Sequence, residues 1–480
     1  MFTSRFHLLI VAASFSHAVC GPVQSTFEIS SEVYAVAKPR QLHGRFLQIT
    51  DMHPDPHYVE GTSISKACHR SKPKKKKKRA GYYGTPYSDC DSPLRFTNYT
   101  LDFLEKNWAS QIDFVIWTGD NARHDNDRKL PRTTFEIYDL NRAVAQKMKD
   151  VFLKKGVPVI PSLGNNDVWP HNILLPGPND ITSHFSSIWQ EFIPFPYRQV
   201  FQRGAYYSVE VIADHLAVVS LNTMYFYDAN KAVNGCPFNE LSDPGNLQLD
   251  WLEVQLKMFR ERGLRVWLSG HVPPSRGNYF PECYVRYVDL ALRYQDTILG
   301  HLFGHMNSDH FFFLEAGDLE LELDQQVAKT EIESTADADG DLYDAIIDDF
   351  GTLPGLSKVE LDEYAVINVS PPVVPNPYLP TFRIFSYNVS GVEMTGNLEK
   401  KKKKKKKKKG GKRKPGHHRG GHGDKSVHCA EEPFRMSWKC HLSNDSWHSD
   451  PESPPRKNQR WTPTGYAQVR DLNLLLHQFI

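Results

Sequence analysis

The sequence lacks an uncharged apolar run of about 20 residues, the length that a helix needs to cross a bilayer. Its 480 residues have a mean hydropathy of −0.50, and 40% of them are hydrophobic. The composition also fits neither a coiled coil nor a collagen-like chain, and it excludes a multi-pass membrane protein. Hydrophobic and aromatic residues are nevertheless frequent enough to build a sizeable core.

Cysteine is scarce, with seven residues in the chain, and no pair has the spacing of a zinc knuckle. Cys20 belongs to the N-terminal segment, which leaves six cysteines for three disulfides in an oxidising compartment. Proximity in the sequence predicts three pairs, with buried free thiols as the alternative. The predicted pairs are Cys68–Cys90, Cys236–Cys283 and Cys429–Cys440.

The N-terminus has the pattern of a secretory signal. Arg5 precedes an apolar stretch from Leu8 to Phe15, and Ala18-Val19-Cys20 resembles a cleavage site. A cleaved signal peptide and a short uncleaved membrane anchor both fit residues 1–20. Four glycosylation sequons agree with entry into the secretory pathway; they begin at Asn98, Asn368, Asn388 and Asn444.

The formal net charge is +2, so neither sign of charge is in large excess overall. The charged residues are nevertheless unevenly distributed along the chain. Residues 72–79 and 400–419 hold 21 of the 58 basic residues, which leaves 37 against 56 acidic residues. A solvated linker, a polyanion-binding segment and neutralisation by the acidic residues 337–349 are open interpretations of these tracts. A nuclear-targeting role conflicts with the secretory signal, and no nucleic-acid partner is expected. The oligomeric state is not determined by the sequence.

Short apolar strands alternate with amphipathic helices from residue 45 onward, which predicts an α/β fold. Sequence composition divides the rest of the chain. The predicted segments are a signal or anchor (1–20), a linker (21–44), a catalytic domain (45–315) with a Lys-rich loop near 72–79, an acidic mobile insertion (316–350), the completion of the domain (351–398), a Lys/Gly/His-rich linker (399–423) and a Cys-containing tail (424–480).

Five short polar motifs each follow a predicted strand. In α/β sheets ligands bind at strand ends, where glycine permits a tight turn that points the next polar side chain into the site. Asp, Asn and His supply oxygen and nitrogen ligands for Zn, Mn, Fe, Co or Mg ions. One such motif is weak, but five in order predict a metal site. They are Asp51-Met-His53, Gly119-Asp120-Asn121, Gly164-Asn165-Asn166-Asp167, Gly270-His271 and Gly304-His305.

In their order these motifs resemble those of the calcineurin-like metallophosphoesterase superfamily, over about residues 45–315. Residues 51–58, 119–125, 164–167 and 303–310 further resemble the fungal endopolyphosphatases of the acid-sphingomyelinase-like branch. The resemblance implies an αββα sandwich, here with disordered acidic and Lys-rich insertions, two divalent metal ions, and hydrolysis of internal phosphoanhydride bonds in inorganic polyphosphate. It also implies a single-pass type II protein of the vacuole membrane with a luminal catalytic domain. A soluble vacuolar or secreted protein is the alternative.

The resemblance assigns ligands to both ions. Asp120 would bridge them, Asp51 and His53 would hold the first, and Asn165, His271 and His305 would hold the second. The superfamily ends its last motif with a second His, where this chain has Asn307. An amide oxygen is a harder and weaker ligand than imidazole, so we expect the first site to favour ions such as Mg or Mn, or to bind less tightly.

A second departure concerns the proton donor. Asn166 stands where the superfamily has a His, and an amide cannot donate a proton at a useful pKa, so Asn166 is predicted only to contact substrate. His124, at an offset where the acid-sphingomyelinase branch also has a His, is predicted to be the general acid. Its alternative role is to orient Asp120 or a phosphate oxygen. Arg123 is predicted to bind phosphate, with a surface salt bridge as the alternative.

Three functions are therefore compared. The first is a metal-dependent endopolyphosphatase, and the second is an acid-sphingomyelinase-like phosphodiesterase acting on lipid or nucleotide esters. The third is a non-catalytic protein that binds polyanions. The chain before Arg45 is too short for the lipid-presenting domain of the lipid enzymes, and the nearly complete ligand set argues against a non-catalytic protein.

Overall fold

The computed structural model describes residues 41–320, 338–355, 357–391, 429–430, 434–443, 447 and 451–470. Within these ranges no helix has the length and apolar character needed to cross a membrane. The N-terminal signal or anchor and the tract Lys400–Lys409 lie outside the described residues, so the expectations about them stay predictions.

In chain order the strands of the described residues are β1 (Arg45–Ile49), β2 (Pro54–Asp55), β3 (Ser92–Pro93), β4 (Phe114–Trp117), β5 (Val159–Pro161), β6 (Tyr207–Ile212), β7 (Leu216–Ser220), β8 (Arg265–Ser269), β9 (Ile298–Phe303), β10 (His310–Glu315), β11 (Tyr364–Val369), β12 (Thr381–Tyr387) and β13 (Pro463–Arg470). The α-helices are α1 (Leu94–Asn107), α2 (Thr134–Val151), α3 (Asp180–Ile188), α4 (Arg198–Gly204), α5 (Pro244–Arg262), α6 (Pro281–Arg293) and α7 (Ala338–Thr352).

Two mixed sheets organise the catalytic region. One has the order β13-β12-β1-β4-β5, and the other has the order β10-β11-β9-β8-β7-β6. Strands β1, β4 and β5 run parallel, with Leu47 opposite Val115 and Val115 opposite Val159. Strands β7, β8, β9 and β11 also run parallel, whereas the outer pairs are antiparallel. The central parallel strands are therefore the ones that the polar motifs follow.

The two sheets pack face to face through buried aromatic side chains. Phe46 of β1 stacks on Phe114 and Phe385 of its own sheet, with ring centroids 4.7 and 4.9 Å away. Its ring also meets Trp267 of β8, in the other sheet, edge-on at 4.9 Å. Helix α1 lies against α2, and α5 lies against both α6 and β8. The predicted αββα sandwich is confirmed.

All three predicted disulfides are present in the structure, joining Cys68 to Cys90, Cys236 to Cys283 and Cys429 to Cys440. Cys68–Cys90 closes the long connection between β2 and β3. The cysteines that proximity in the sequence paired are thus also close in space.

Helix α7 lies in the segment that composition indicated to be a mobile acidic insertion. Phe350 near its end packs against Phe311 and Phe313 of β10, with ring centroids 5.3 and 5.6 Å away. These aromatic contacts anchor the helix on the sheet. A prediction from charge density misses them because the partner rings lie about 40 residues earlier in the sequence.

Candidate active site

The five motifs converge at the carboxyl ends of β1, β4, β5, β8 and β9. Backbone hydrogen bonds join them in pairs: Asp51 N–H donates to Gly119 O at 3.0 Å, and Gly304 N–H donates to His271 O at 3.0 Å. Parallel strands place their carboxyl ends at one edge of each sheet, and face-to-face packing brings the two edges together. One shared site results.

The turns that carry these residues have unusual backbone conformations. Asp51, Asp120 and His305 have φ values of 50°, 58° and 72°, in the left-handed region that non-glycine residues rarely adopt. Such strain clusters at functional sites when surrounding contacts hold it in place. Two glycines permit a close approach, because a Cβ on Gly164 would lie 2.0 Å from Asp120 Oδ1 and one on Gly304 would lie 2.1 Å from Thr50 Oγ1.

The first group of ligand atoms belongs to Asp51, His53 and Asp120, all of them buried. The Nε2 atom of His53 lies 3.4 Å from Asp51 Oδ1 and 3.5 Å from Asp120 Oδ2. Its Nδ1–H donates to Ala122 O at 2.8 Å, which fixes the ring with Nε2 facing the carboxylates. Burial disfavours the charged imidazole, but the hydrogen bond to Asp51 and the charge of Asp120 raise the pKa of His53 to about 9.

The second group surrounds the amide oxygen of Asn165. His271 Nε2 lies 2.8 Å from Asn165 Oδ1 and 3.2 Å from Asp120 Oδ2, and His305 Nδ1 lies 2.9 Å from the same amide oxygen. His271 Nδ1–H donates to Thr118 O at 2.7 Å, so Nε2 is the atom turned toward the acceptors. The predicted ligands Asp120, Asn165, His271 and His305 are thus brought together.

Asn307 supplies a further observation about ligands. Its Oδ1 atom is buried and has no hydrogen-bond partner among the described residues, and its φ of 51° is again left-handed. A buried amide oxygen without a donor is costly unless something positive binds it. Together with two buried carboxylates and imidazoles held in ligand tautomers, this oxygen fits a site for divalent cations.

Asn166 and Asp167 hold Asp120 in place. The backbone N–H and the side-chain amide of Asn166 donate to Asp120 Oδ1 and Oδ2, each at 2.8 Å. Asp167 Oδ2 accepts from the backbone N–H of Asp120 at 2.9 Å. Asn166 was expected to contact substrate, but its amide N–H is used to orient the predicted bridging carboxylate.

His124 is held by Asp91, a residue that the sequence motifs did not single out. Asp91 Oδ1 accepts from His124 Nδ1 at 2.6 Å, and Oδ2 accepts from the His124 backbone N–H at 2.6 Å. The ring of His124 stacks on that of His53 at 3.9 Å and remains partly exposed. Burial opposes ionisation of Asp91, but the charge of His124 and its hydrogen bonds lower the carboxyl pKa. This arrangement leaves Nε2 of His124 available beside the first group of ligands.

Arg123 has a different role from the predicted one. Its side chain is 1% exposed and donates to Glu136 at 2.5 Å and to Leu130 O at 2.7 Å. These contacts direct the guanidinium to helix α2 and to the loop that precedes it. The predicted bidentate phosphate contact is therefore corrected to a structural ion pair, because the donors of the guanidinium are engaged by protein acceptors.

Arg132 is a second buried arginine near the site. Its Nη1 donates to Arg123 O at 2.9 Å and to Asn166 O at 2.8 Å, whereas Nε and Nη2 are buried without a hydrogen-bond partner among the described residues. Burial lowers its pKa, and the charge of Asp120 opposes that effect. No motif marked this residue in the sequence. Arg132 is recognised only in the tertiary structure, as a buried cation with unpaired hydrogen-bond donors.

The geometry fits a site for divalent cations, and the family match identifies the class as a phosphoesterase. The sequence profile of the calcineurin-like phosphoesterase family matches residues 44–308, more than half of the chain, and the chain belongs to this family. Membership implies a site for two divalent cations.

Similarity to individual curated proteins is more specific than the match to the family as a whole. An endopolyphosphatase from Cryptococcus neoformans is 47% identical over 409 residues, which cover 75% of this chain and 60% of the relative. One from Saccharomyces cerevisiae is 49% identical over 282 residues, covering 57% and 42%, and one from Schizosaccharomyces pombe is 38% identical over 370 residues, covering 74% and 63%. The chain thus spans at most about two thirds of the length of these relatives.

The site predicts that Asp120→Asn reduces metal binding. Removing one carboxylate charge between the two groups of ligands should lower the divalent-ion content of purified protein below that of wild type. Hydrolysis of an aryl phosphate should fall about 10²–10³-fold. Elemental analysis after dialysis and thermal melting separate metal loss from unfolding. Asp139→Asn, at an exposed carboxylate, serves as control. An unchanged ion content in the Asp120→Asn protein would show that Asp120 is not a metal ligand.

The His124–Asp91 pair predicts a dependence on the leaving group. His124→Ala should slow hydrolysis of alkyl phosphodiesters about 10²–10⁴-fold and slow activated aryl esters less, because a poor leaving group depends more strongly on receiving a proton. Asp91→Asn should shift rates in the same direction by a smaller factor. The exposed His184→Ala is the matched control. Equal losses on both kinds of ester would indicate that His124 only positions other groups.

Proposed function

We propose that the chain is an endopolyphosphatase, which hydrolyses internal phosphoanhydride bonds of long-chain inorganic polyphosphate. The observation that carries the proposal is the convergence of the ligand groups around Asp120, with His124 held at their edge by Asp91. Similarity to curated endopolyphosphatases supports the choice of substrate. No feature of the described residues favours a lipid or nucleotide ester instead.

The ions would be held by the side chains around Asp120. Asp51, His53 and Asn307 are assigned to one ion, and Asn165, His271 and His305 to the other. The chemistry that such ions supply when bound is Lewis-acid polarisation of the phosphoryl group and activation of water. We infer Mg or Mn at the first position, since Asn307 contributes a hard amide oxygen.

The protein's own residues supply orientation and a proton. Asn166 fixes both oxygens of Asp120, so that carboxylate needs no rearrangement during turnover. His124 keeps its Nδ1–H on Asp91 and offers the Nε2 proton to the oxygen that leaves with the departing polyphosphate. After the leaving chain departs, His124 takes a proton back from solvent through its exposed edge.

Arg132 is assigned to the substrate. Its Nη1 donates to two carbonyls, which leaves Nε–H and Nη2–H without a hydrogen-bond partner among the described residues, and a phosphoryl oxygen is a ligand that such a fork prefers. The buried setting strengthens such a contact, because little solvent screens it.

An oxidising, luminal location is part of the proposal. Three disulfides support it, because such bonds persist in secretory compartments and are rare in the cytosol. The vacuole lumen, with the catalytic domain released or tethered by residues 1–20, is the location proposed here.

Product lengths test the proposed reaction. Brief digestion of long polyphosphate followed by gel electrophoresis should show chains of intermediate length before free phosphate accumulates. Asp120→Asn protein provides the blank. Release of phosphate from chain ends, with the remaining polymer close to full length, would replace internal cutting by exopolyphosphatase action. No cleavage of the polymer at all, together with turnover of an alkyl phosphodiester, would reject polyphosphate as the substrate.

The role of Arg132 predicts a loss in substrate affinity. Arg132→Lys keeps the charge but removes the fork, and kcat/KM on tripolyphosphate should fall about 10–100-fold, as expected for a lost charge-assisted hydrogen bond. Competitive inhibition by inorganic phosphate should weaken in parallel. Metal content and melting temperature serve as controls for the fold. A loss in stability with an unchanged inhibition constant for phosphate would assign Arg132 to structure alone.

A further inference from the structure

The connection between β2 and β3, residues 56–91, carries an unpaired basic surface; we name it the lysine loop. Its six tract lysines are all exposed, and none forms an ion pair with a carboxylate of the described residues. They are Lys72, Lys74, Lys75, Lys76, Lys77 and Lys78. A second group of lysines, at the end of α2 and just after it, behaves differently, because each is paired with a carboxylate. Its members are Lys147, Lys149, Lys154 and Lys155.

The lysine loop holds its charges on a defined turn. Arg79 donates from Nε to Pro73 O at 2.6 Å and from Nη2 to Lys74 O at 3.2 Å, which closes the tract on itself. Residues Lys76–Lys78 form one 3₁₀ turn between those ends. Ala80 N–H donates to Thr62 O at 2.7 Å, and the Cys68–Cys90 disulfide ties the loop at its base. The ammonium groups therefore project from a fixed platform.

Two side chains in the first half of the lysine loop contact the segment that follows His124. His69 lies with Nδ1 2.7 Å from Asp127 Oδ2 and Nε2 2.6 Å from Asp55 Oδ2. Arg70 donates to both oxygens of Asp127, from Nη2 at 2.9 Å. Burial disfavours the charged form of His69, but the hydrogen bonds to Asp55 and Asp127 outweigh it and raise the pKa.

The second half of the lysine loop forms hydrogen bonds with the same segment. Asn126 Nδ2 donates to Asp89 O at 2.6 Å, and Asp91 at the end of the loop holds His124 itself. The stretch from His124 to Asp127 is thus held from both sides by the lysine loop. The loop that carries the lysine tract is therefore joined directly to the segment that carries the predicted proton donor.

We propose that the lysine loop is a docking surface for the part of the polyphosphate chain that departs with the leaving group. This inference rests on the proposed function, since it takes polyphosphate as the substrate. A linear polyanion gains affinity from closely spaced lysines by releasing its own counterions, without any recognition beyond charge. In this proposal His124 protonates the leaving oxygen, and the chain beyond that oxygen extends toward the lysine loop, which is joined to the segment carrying His124.

The test removes four charges from the lysine loop in the full-length chain. The variant carries Lys74→Gln, Lys75→Gln, Lys77→Gln and Lys78→Gln, and the matched control carries Lys147→Gln, Lys149→Gln, Lys154→Gln and Lys155→Gln. Both are prepared a second time with Lys400–Lys409 changed to Gln, so that the second tract does not conceal a loss. Melting temperatures and thiol titration check that the fold and the disulfides are intact.

On polyphosphate of several hundred units at about 50 mM salt, KM of the loop variant should rise about 10–50-fold with little change in kcat, and the control should match wild type. Tripolyphosphate should be hydrolysed normally, because so short a substrate does not reach the lysine loop. The wild-type advantage should shrink between about 50 and 200 mM salt as counterion release weakens.

Outcomes separate this inference from the proposed function. An unchanged KM on long chains in both backgrounds overturns the docking surface, and so does an equal loss on tripolyphosphate, which would place the lysines in support of the active site. Failure of wild-type protein to cut polyphosphate rejects the proposed function instead. Direct binding of long polyphosphate to Asp120→Asn protein, with and without the four loop substitutions, decides the docking question independently of turnover.

Discussion

Buried negative charge is the constraint on which the arrangement of this protein depends. Asp51, Asp91, Asp120 and Asp167 are each at most 1% exposed, and they lie on loops at one end of the sandwich. An ionised carboxylate without partners in such a place costs several kcal/mol. Burial and the charge of Asp120 raise the pKa of Asp167, whereas His271 and His53 help to keep the pKa of Asp120 low. Imidazoles, amides and backbone N–H groups are therefore gathered around these carboxylates.

The strained turns follow from the same requirement. For its carboxylate to lie inside the site rather than on the sheet surface, Asp120 takes a left-handed conformation directly after Gly119. Contacts with neighbouring loops stabilise that conformation, as when Asp51 and Met52 donate backbone hydrogen bonds to the Gly119 and Asp120 carbonyls. Strain at one loop is thus compensated by hydrogen bonds from the loop beside it.

Charge is also arranged by depth. Carboxylates occupy the interior of the site, the buried guanidiniums of Arg123 and Arg132 lie near it, and exposed lysines stand on the lysine loop. A polyanionic substrate would be drawn to the outer cations, while the inner carboxylates are suited to divalent ions. The Cys68–Cys90 disulfide lies between the inner carboxylates and the outer lysines. Asp91, which holds His124, follows Cys90 directly, and the lysine tract lies within the loop that the disulfide closes.

Much of the fold was determined by the local sequence. The expected alternation of short apolar strands with helices is present, as in β4 and β9, because a short apolar run between turn residues has few alternatives to a buried strand. The candidate ligands also followed from the sequence, since each stands directly after such a strand.

Tertiary structure alone decided which side chains serve the site and which support it. Asp91 joins His124 across 33 positions, Arg123 turns to Glu136, and Arg132 approaches the carbonyl of Asn166 from 34 positions away. Neighbouring arginines look equivalent in the sequence because charge alone does not specify a partner. The partner is set by which loops the packed sheets bring together, and that packing depends on contacts between residues far apart in the chain.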